Sequence, residues 1–451
     1  MRFYTILITL YLLSNNFLIA QSHQENLDKY WLYRTRLVGT NGQGGFLDIG
    51  TGQGQSLVAT NRDFNRICSN DWHMVDGKCH TREGKGGLSW ADASLYQGFY
   101  IGMLALEYAN LERAKQPLDK VGQELWYAML TVERLDSLAE IALGKKEGKL
   151  DGFFLRDDVP ANFYYEKDAP NDRRFGANSQ NIECVSSDYS CGEEVAVEKG
   201  GFISQDQVIG LFIGFSLIKK LVADKRYKKN LPTYGEKAAL IAHRIADYMS
   251  SSGWKLKDPD GKKIPDKWGG NALGMSYPIA KAANFITDGK HSKTYIRKGA
   301  SILGKPIYGL LHASLAFQHQ TNAVLCLMSM TMLPKRTRRG IARKSIKHDV
   351  IIMPLIHSIL FDYELHKKLQ KEDFEELLNT APMSGPCFET EGCEAPDGWK
   401  SFDRWLHPRF KNGNPYGIKN ETPGVDYMLL YNLYHYYYHK DLPTYKQTSK
   451  N

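Results

Sequence analysis

The chain lacks the short signatures that mark a metal centre or an acyl-transfer nucleophile. It has no His-Glu-x-x-His run, no calcium-loop pattern and no serine flanked by elbow glycines. None of its seven cysteines has the two-residue spacing of a zinc knuckle. No metal and no cofactor is therefore expected. There is also no Pro-, Ser- or Gly-rich linker between balanced halves and no strict internal repeat, so the bulk of the 451 residues reads as one large domain. After the N-terminal segment, no window is long and apolar enough to span a bilayer. A large excess of either charge is missing too. With 58 Lys+Arg against 50 Asp+Glu, the net charge of +8 admits an acidic ligand without demanding one.

The chain opens on "MRFYTILITLYLLSNNFLIAQSHQ", in which Arg2 precedes an apolar stretch and the small residue Ala20 precedes a polar run. That is the layout of a secretory signal peptide over residues 1–20, with an N-terminal anchor helix as the alternative. The reading predicts an exported protein, periplasmic or extracellular. It would have no membrane contact after cleavage and no nucleic-acid partner. Six cysteines fall into three local pairs within loop-like sequence: Cys68 and Cys79, Cys184 and Cys191, Cys387 and Cys393. Export favours disulfides, and proximity suggests three local staples, with Cys326 a buried free thiol in "NAVLCLMSM".

Residues 21–88 read as an irregular, disulfide-stapled segment. Within it, "FLDIGTGQGQ" (Phe46–Gln55) resembles a glycine turn that holds a nucleoside. Such a turn must lead directly into a helix inside an alternating βαβ sheet. Here it leads into "SLVATNRDFNRIC" and then into cysteine-rich sequence, so nucleotide binding is not expected.

From Ser89 the pattern turns helical. Apolar residues recur at helical spacing in Ser89–Ala114 and Pro117–Gly144, which predicts an antiparallel hairpin of two amphipathic helices. A second pair is expected at Gln205–Ala223 and Tyr234–Ser251. A third is expected at Tyr277–Thr287 and Tyr308–Leu333, and a fourth at Asp349–Leu378 with Asp426–His439. Asp260-Gly261 marks a β-turn between the second and third. The tyrosine-rich "DYMLLYNLYHYYYHK" reads as a packing helix. The predicted class is all-α: a toroid of stacked helical hairpins over residues 89–451, with long loops and a few short β-hairpins. The basic run Lys335–Lys347, with seven cations and no acid, is either a solvated loop or a patch for an anionic polymer.

A ring of helical hairpins with aromatic and acidic loops resembles the α/α-toroid carbohydrate-active enzymes, both glycoside hydrolases and polysaccharide lyases. The resemblance is architectural and covers Ser89 to His439. It carries no family residue onto a numbered position. It implies a groove for a polysaccharide or oligosaccharide, an acidic one included, across one mouth of the ring.

Glycoside hydrolysis needs two carboxyls on opposite sides of a bond. The loop "LDGFFLRDDVP" offers Asp157 or Asp158, with Arg156 to tune the pair. Asp206 in "GFISQDQVIGLF" is the second acid, although Ser204 and Gln207 there also form a capping-box pattern that gives Asp206 a structural role. Trp399, Arg404 and Trp405 in the C-terminal loop suit stacking on a sugar and holding a carboxylate, and Trp268 lies in a similar glycine-rich loop. The alternative chemistry is elimination from a uronate polymer, with His319 as base and Asn322 and Arg404 neutralising the carboxylate. A non-catalytic glycan-binding or scaffold protein is the other alternative.

Overall fold

The structure is a computed structural model. It describes residues 23–35, 37, 47–48, 57–58, 61–63, 74–75, 78–79, 87–89, 93–156, 183–184, 202–254, 256–261, 273–289, 330–332, 335–336, 338–340, 343, 351–381, 420–421 and 423–438. Helices dominate. They are α1 (residues 23–35), α2 (Ala93–Arg113), α3 (Asp119–Ala142), α4 (Gln205–Leu221), α5 (Tyr234–Ser251), α6 (Leu273–Ile286), α7 (Ile352–Phe361), α8 (Lys371–Thr380) and α9 (Val425–Tyr438).

The strands are two or three residues long. β1 (Leu47–Asp48) pairs antiparallel with β2 (Leu57–Val58), and β4 (Met74–Val75) with β5 (Lys78–Cys79). β3 (Asn61–Asp63), β6 (Gly87–Ser89), β7 (Glu183–Cys184) and β8 (Asn420–Glu421) form a sheet in the order β7-β6-β3-β8. The antiparallel return of β1 on β2 separates the glycine run from the strand-to-helix geometry of a nucleotide site, and the next described helix begins only at Ala93.

Most predicted helices lie where periodicity put them, with three differences. The segment read as irregular opens on α1, whose Tyr30 and Tyr33 are wholly buried. The span Asp349–Leu378 is two helices, broken at Asp362, whose left-handed φ of 53° ends α7. The third difference concerns α2, which is not amphipathic: every residue from Ala93 to Leu111 is buried. A helix apolar on all sides belongs inside a layered fold. By contrast α5 buries one stripe, and its Thr233–Glu236 capping box sets its start. Of the second helix of the third pair, Tyr308–Leu333, all but residues 330–332 lies outside the described residues.

The interior helices run in one direction. Leu95, Gly98 and Gly102 of α2 meet Gly210, Gly214 and Leu217 of α4 in ascending order. Asn110 of α2 bonds to Asn432 of α9, and Arg113 to Tyr436. α2, α4 and α9 are therefore parallel, with their N-termini at one end. At the other end, Lys219 just inside α4's last turn pairs with Asp288 after α6, Lys220 pairs with Asp362 after α7, and the N–H of Leu365 donates to the Tyr437 hydroxyl of α9.

The α2–α4 approach is backbone to backbone. A Cβ on Gly98 would sit 2.0 Å from the carbonyl of Gly210, and one on Gly214 would sit 2.2 Å from the carbonyl oxygen of Gly98.

Buried charge ties α1 to this core. Arg34 donates from Nε to Glu107 at 2.8 Å, and its two terminal nitrogens reach Glu124 at 3.0 and 2.7 Å. The hydroxyls of Tyr30 and Tyr100 donate to Glu107 and Glu124 respectively. Burial alone would lower the Arg34 pKa. The two carboxylates more than reverse that, and the guanidinium stays charged. On the next turn of α1, Lys29 Nζ donates to the carbonyls of Leu378, Asn379 and Ala381 at the end of α8.

Two outcomes are expected from urea unfolding. Gly98→Ala should cost about 3 kcal/mol because the helices must separate, while Gly340→Ala, with nothing within 4 Å of the new methyl, should be neutral. Arg34→Ala should cost about 3–5 kcal/mol by stranding Glu107 in the core. Unchanged midpoints in either core variant would contradict the packing described.

Candidate functional site

The loop after α3 folds back along it and is held from both sides. Asp136 and Glu140 are one turn apart on α3, so both face the returning chain. Asp136 Oδ1 accepts the N–H groups of Asp151 at 3.2 Å and Gly152 at 2.9 Å, and Glu140 Oε2 accepts that of Lys149 at 3.2 Å. Asp151 closes a local turn by accepting the N–H of Phe153 at 3.0 Å. Gly152 has φ +94°, and a Cβ there would lie 2.3 Å from the backbone of Arg244 on α5. The loop is thus wedged between α3 and α5, and only glycine fits that point.

Beyond the wedge, Phe153, Phe154 and Leu155 are fully buried, and Phe153 stacks on Phe202 with ring centroids 4.9 Å apart. Leu155 bridges to Phe202, and the N–H of Ile203 donates to the carbonyl of Phe154 at 2.9 Å. The hydroxyl of Ser94, in the first turn of α2, donates to the carbonyl of Arg156 at 2.7 Å. At the second turn, Gln97 accepts the N–H of Val58 in β2 and donates to the carbonyl of Ala128 in α3. Four stretches distant in sequence converge on the start of α2: the end of the glycine hairpin, the Arg156 loop, the lead into α4 and the first turn of α2 itself.

Of the sequence-predicted catalytic and sugar-contact residues, Arg156 and Asp206 are described, the first at the start of α2 and the second at the start of α4. Arg156 is half-buried at the first turn of α2, and Asp206 lies in the first turn of α4, four residues past Phe202. Asp206 Oδ1 accepts the Ser204 hydroxyl and, at 3.1 Å, the N–H of Gln207. The expected capping box does not form, because the Ser204 hydroxyl donates to Asp206 instead of accepting from Gln207. The Gln207 side chain is wholly buried, and among the described residues neither its amide oxygen nor its nitrogen is hydrogen-bonded. Asp426 sits in the first turn of the parallel helix α9, with its carboxylate accepting the N–H of Tyr427 at 2.9 Å.

Asp157, Asp158, Trp268, His319, Asn322, Trp399, Arg404 and Trp405 lie outside the described residues. So do Cys68, Cys191, Cys326, Cys387 and Cys393, while Cys79 and Cys184 are described only as strand positions. Among the described residues no group of three or more His, Cys, Asp or Glu is placed to hold a metal ion, and no helix is long and apolar enough to cross a membrane.

Sequence reasoning missed Asp136 and Glu140. The signal was present, since Leu125, Met129, Val132, Asp136 and Glu140 continue one buried helical stripe into two acids. Burial pushes the Asp136 carboxyl up to about 7, outweighing the Gly152 N–H bond and the guanidinium of Arg244, whose Nε lies 3.3 Å away. Burial also raises Glu140, against the Lys149 N–H, and the Asp151 carboxyl reinforces the rise. Asp136 is only 2% exposed, so these acids fix the loop from behind rather than meet a substrate.

No family model, curated protein or solved structure matches this chain.

Because the folded-state pKa of Asp136 stands above its unfolded value, the native state holds a proton that the unfolded chain has released between about pH 4 and 7. Its contribution to stability therefore declines as pH rises through that window, by about 1.4 kcal/mol per unit of separation. Carboxyl NMR should find Asp136 titrating near pH 7, and urea midpoints of Asp136→Asn should be flatter across the window than those of the wild type. Titration of Asp136 near pH 4 would show that Arg244 and the loop N–H groups prevail.

Proposed function

We propose that the chain closes its helices into a ring and acts as an exported glycan-degrading enzyme, a glycoside hydrolase with two carboxyl groups at the mouth. The observation that supports the reading is that Arg156 lies at the start of α2 and Asp206 and Asp426 in the first turns of the parallel α4 and α9. Helix starts present free N–H groups and a positive dipole, which favour acids and anionic substrate groups there.

Ring closure is supported by direction and contact. α2, α4, α6, α7 and α9 share one orientation, and α7 touches both α4 and α9 while α2 touches the same two. α3, α5 and α8 lie outside them, as the outer layer of a double ring would.

In this reading Asp157 or Asp158, which directly follow Arg156 in sequence, supplies one carboxyl and Asp206 the other. One acid donates a proton to the leaving oxygen while the other acts on the opposite face of the sugar. Ser204 and the N–H of Gln207 hold the Asp206 carboxylate in one orientation. Trp399, Trp405, Trp268 and Arg404 are assigned to sugar contact.

Incubating the full-length mature protein with a panel of neutral and uronate polysaccharides tests the reading. Release of new reducing ends is expected. It should fall by about 100-fold or more in Asp206→Asn and in either Asp157→Asn or Asp158→Asn, the range of lost acid–base catalysis. Products carrying the ultraviolet band of an unsaturated uronate, lost in His319→Ala, would replace hydrolysis by elimination. Binding without any product across the panel would make the protein a glycan-binding or scaffold protein.

A further inference from the structure

At the C-terminal end of α7, Lys335, Arg338, Arg339 and Arg343 and the turn leading to α8 line an open recess of about 600 Å³. That size falls within the range of sites that hold small ligands, about 300–1,000 Å³. Its walls carry Lys335, Arg338, Arg339 and Arg343 from the basic run, and Lys367 from the facing turn. Two carboxylates share the lining, Asp362 and Glu364, but Asp362 is already paired with Lys220 at 2.5 Å. Among the described residues none of the five cations forms an ion pair. Five cations around one recess, four of them exposed, raise a positive local potential that favours an anion there.

The field of these groups registers on a neighbour. His366 is pushed below its ordinary pKa, first by burial and then by Arg343, Lys368, Lys367 and Arg339. It is consequently neutral at physiological pH, and its Nδ1 accepts the N–H of Lys368 at 3.3 Å. The recess therefore combines several cations with two groups able to meet hydroxyls, neutral His366 and Glu364.

We propose that this cavity binds a short acidic saccharide, with carboxylate or sulfate groups held by Lys335, Arg339, Arg343 and Lys367 and hydroxyls met by Glu364 and His366. Guanidinium groups hold such oxyanions in two-pronged hydrogen bonds. Single-stranded nucleic acid fits less well, because it needs exposed aromatic faces for its bases. The aromatic ring at the recess, Tyr363, is covered by Arg338 at 3.3 Å and packed by His357 at 5.4 Å. A bilayer is met by a projecting basic face rather than by a recess. The site goes beyond the proposed hydrolytic centre and stands whether or not that centre is catalytic, since none of its lining residues belongs to it.

Calorimetric titration of the full-length mature protein decides the matter. The probes are a chondroitin sulfate hexasaccharide, a hexagalacturonate, the neutral cellohexaose and an oligothymidylate of matched charge. Saturable binding of at least one acidic saccharide is expected, with none of cellohexaose. The tighter of the two acidic probes identifies sulfate or carboxylate as the group selected. Affinity should fall about tenfold per substituted cation, so about 100-fold in Arg339→Glu/Arg343→Glu. Both positions are exposed, so the variant should keep the wild-type circular dichroism, and Lys229→Glu on another exposed loop should bind like the wild type. The proposal fails if neither acidic saccharide binds, if the double variant keeps its affinity, if cellohexaose binds equally, or if oligothymidylate binds more tightly than both.

Discussion

The contact between α2 and α4 is made through glycine, with Gly98 and Gly102 on one helix and Gly210 and Gly214 on the other. Where Gly98 meets Gly210 and Gly214 the two backbones lie directly against each other, and the Leu217 side chain fills the space beside Gly102. The rest of the interior is arranged around that approach. α2 is enclosed on every face, α9 takes its other side through the Asn110–Asn432 pair, and α6 and α7 extend the layer beyond α4. At Gly98 and Gly214 the seam tolerates no added methyl, because the opposing atoms are backbone that cannot rotate away, whereas at Gly102 the nearest atom is a methyl of the Leu217 side chain.

Polar groups in the interior serve as connectors between elements distant in sequence. Arg34, Glu107, Glu124, Tyr30 and Tyr100 join α1, α2 and α3 through charge-assisted bonds in which the guanidinium is shared between two carboxylates. Asp136 and Glu140 hold the returning loop by its backbone N–H groups. The two clusters differ in electrostatic character. Arg34 is held charged by its partners, whereas Asp136 has too little compensation for its burial and favours the proton. The second holds the loop that carries Arg156 to the start of α2.

That delivery links fold to chemistry. Parallel interior helices collect their N-termini at one end, and the loops that feed them arrive there from separate parts of the chain. Asp206 and Asp426 occupy equivalent first-turn positions, the Arg156 carbonyl is held by Ser94 of α2, and its neighbour Leu155 bridges to Phe202 ahead of α4. The opposite end collects C-termini, whose exposed carbonyls favour cations. Lys219 and Lys220 lie there in ion pairs with Asp288 and Asp362, and the basic recess opens next to them. The two ends of the molecule thus carry groups suited to different partners.

The sequence by itself determined that the protein is helical, and it determined the limits of α3, α4, α5 and α9 to within a few residues; α3 and α5 bury a stripe with a 3.6-residue period, while α4 and α9 are apolar runs bounded by polar residues. It also exposed the glycine run of Phe46–Gln55 as out of context for a nucleotide site, and the β1–β2 return agrees. It could not distinguish an interior helix from an amphipathic one in α2, since the difference lies in what surrounds the helix. Nor could it see that Gln207 is buried away from its capping position, or that Asp136 and Glu140 belong to the loop rather than to solvent. Only the tertiary structure decided which loops meet, and that Lys335, Arg338, Arg339 and Arg343 line a recess with Lys367 from beyond α7. Those outcomes depend on distances between residues far apart in the chain, and local periodicity holds no record of them.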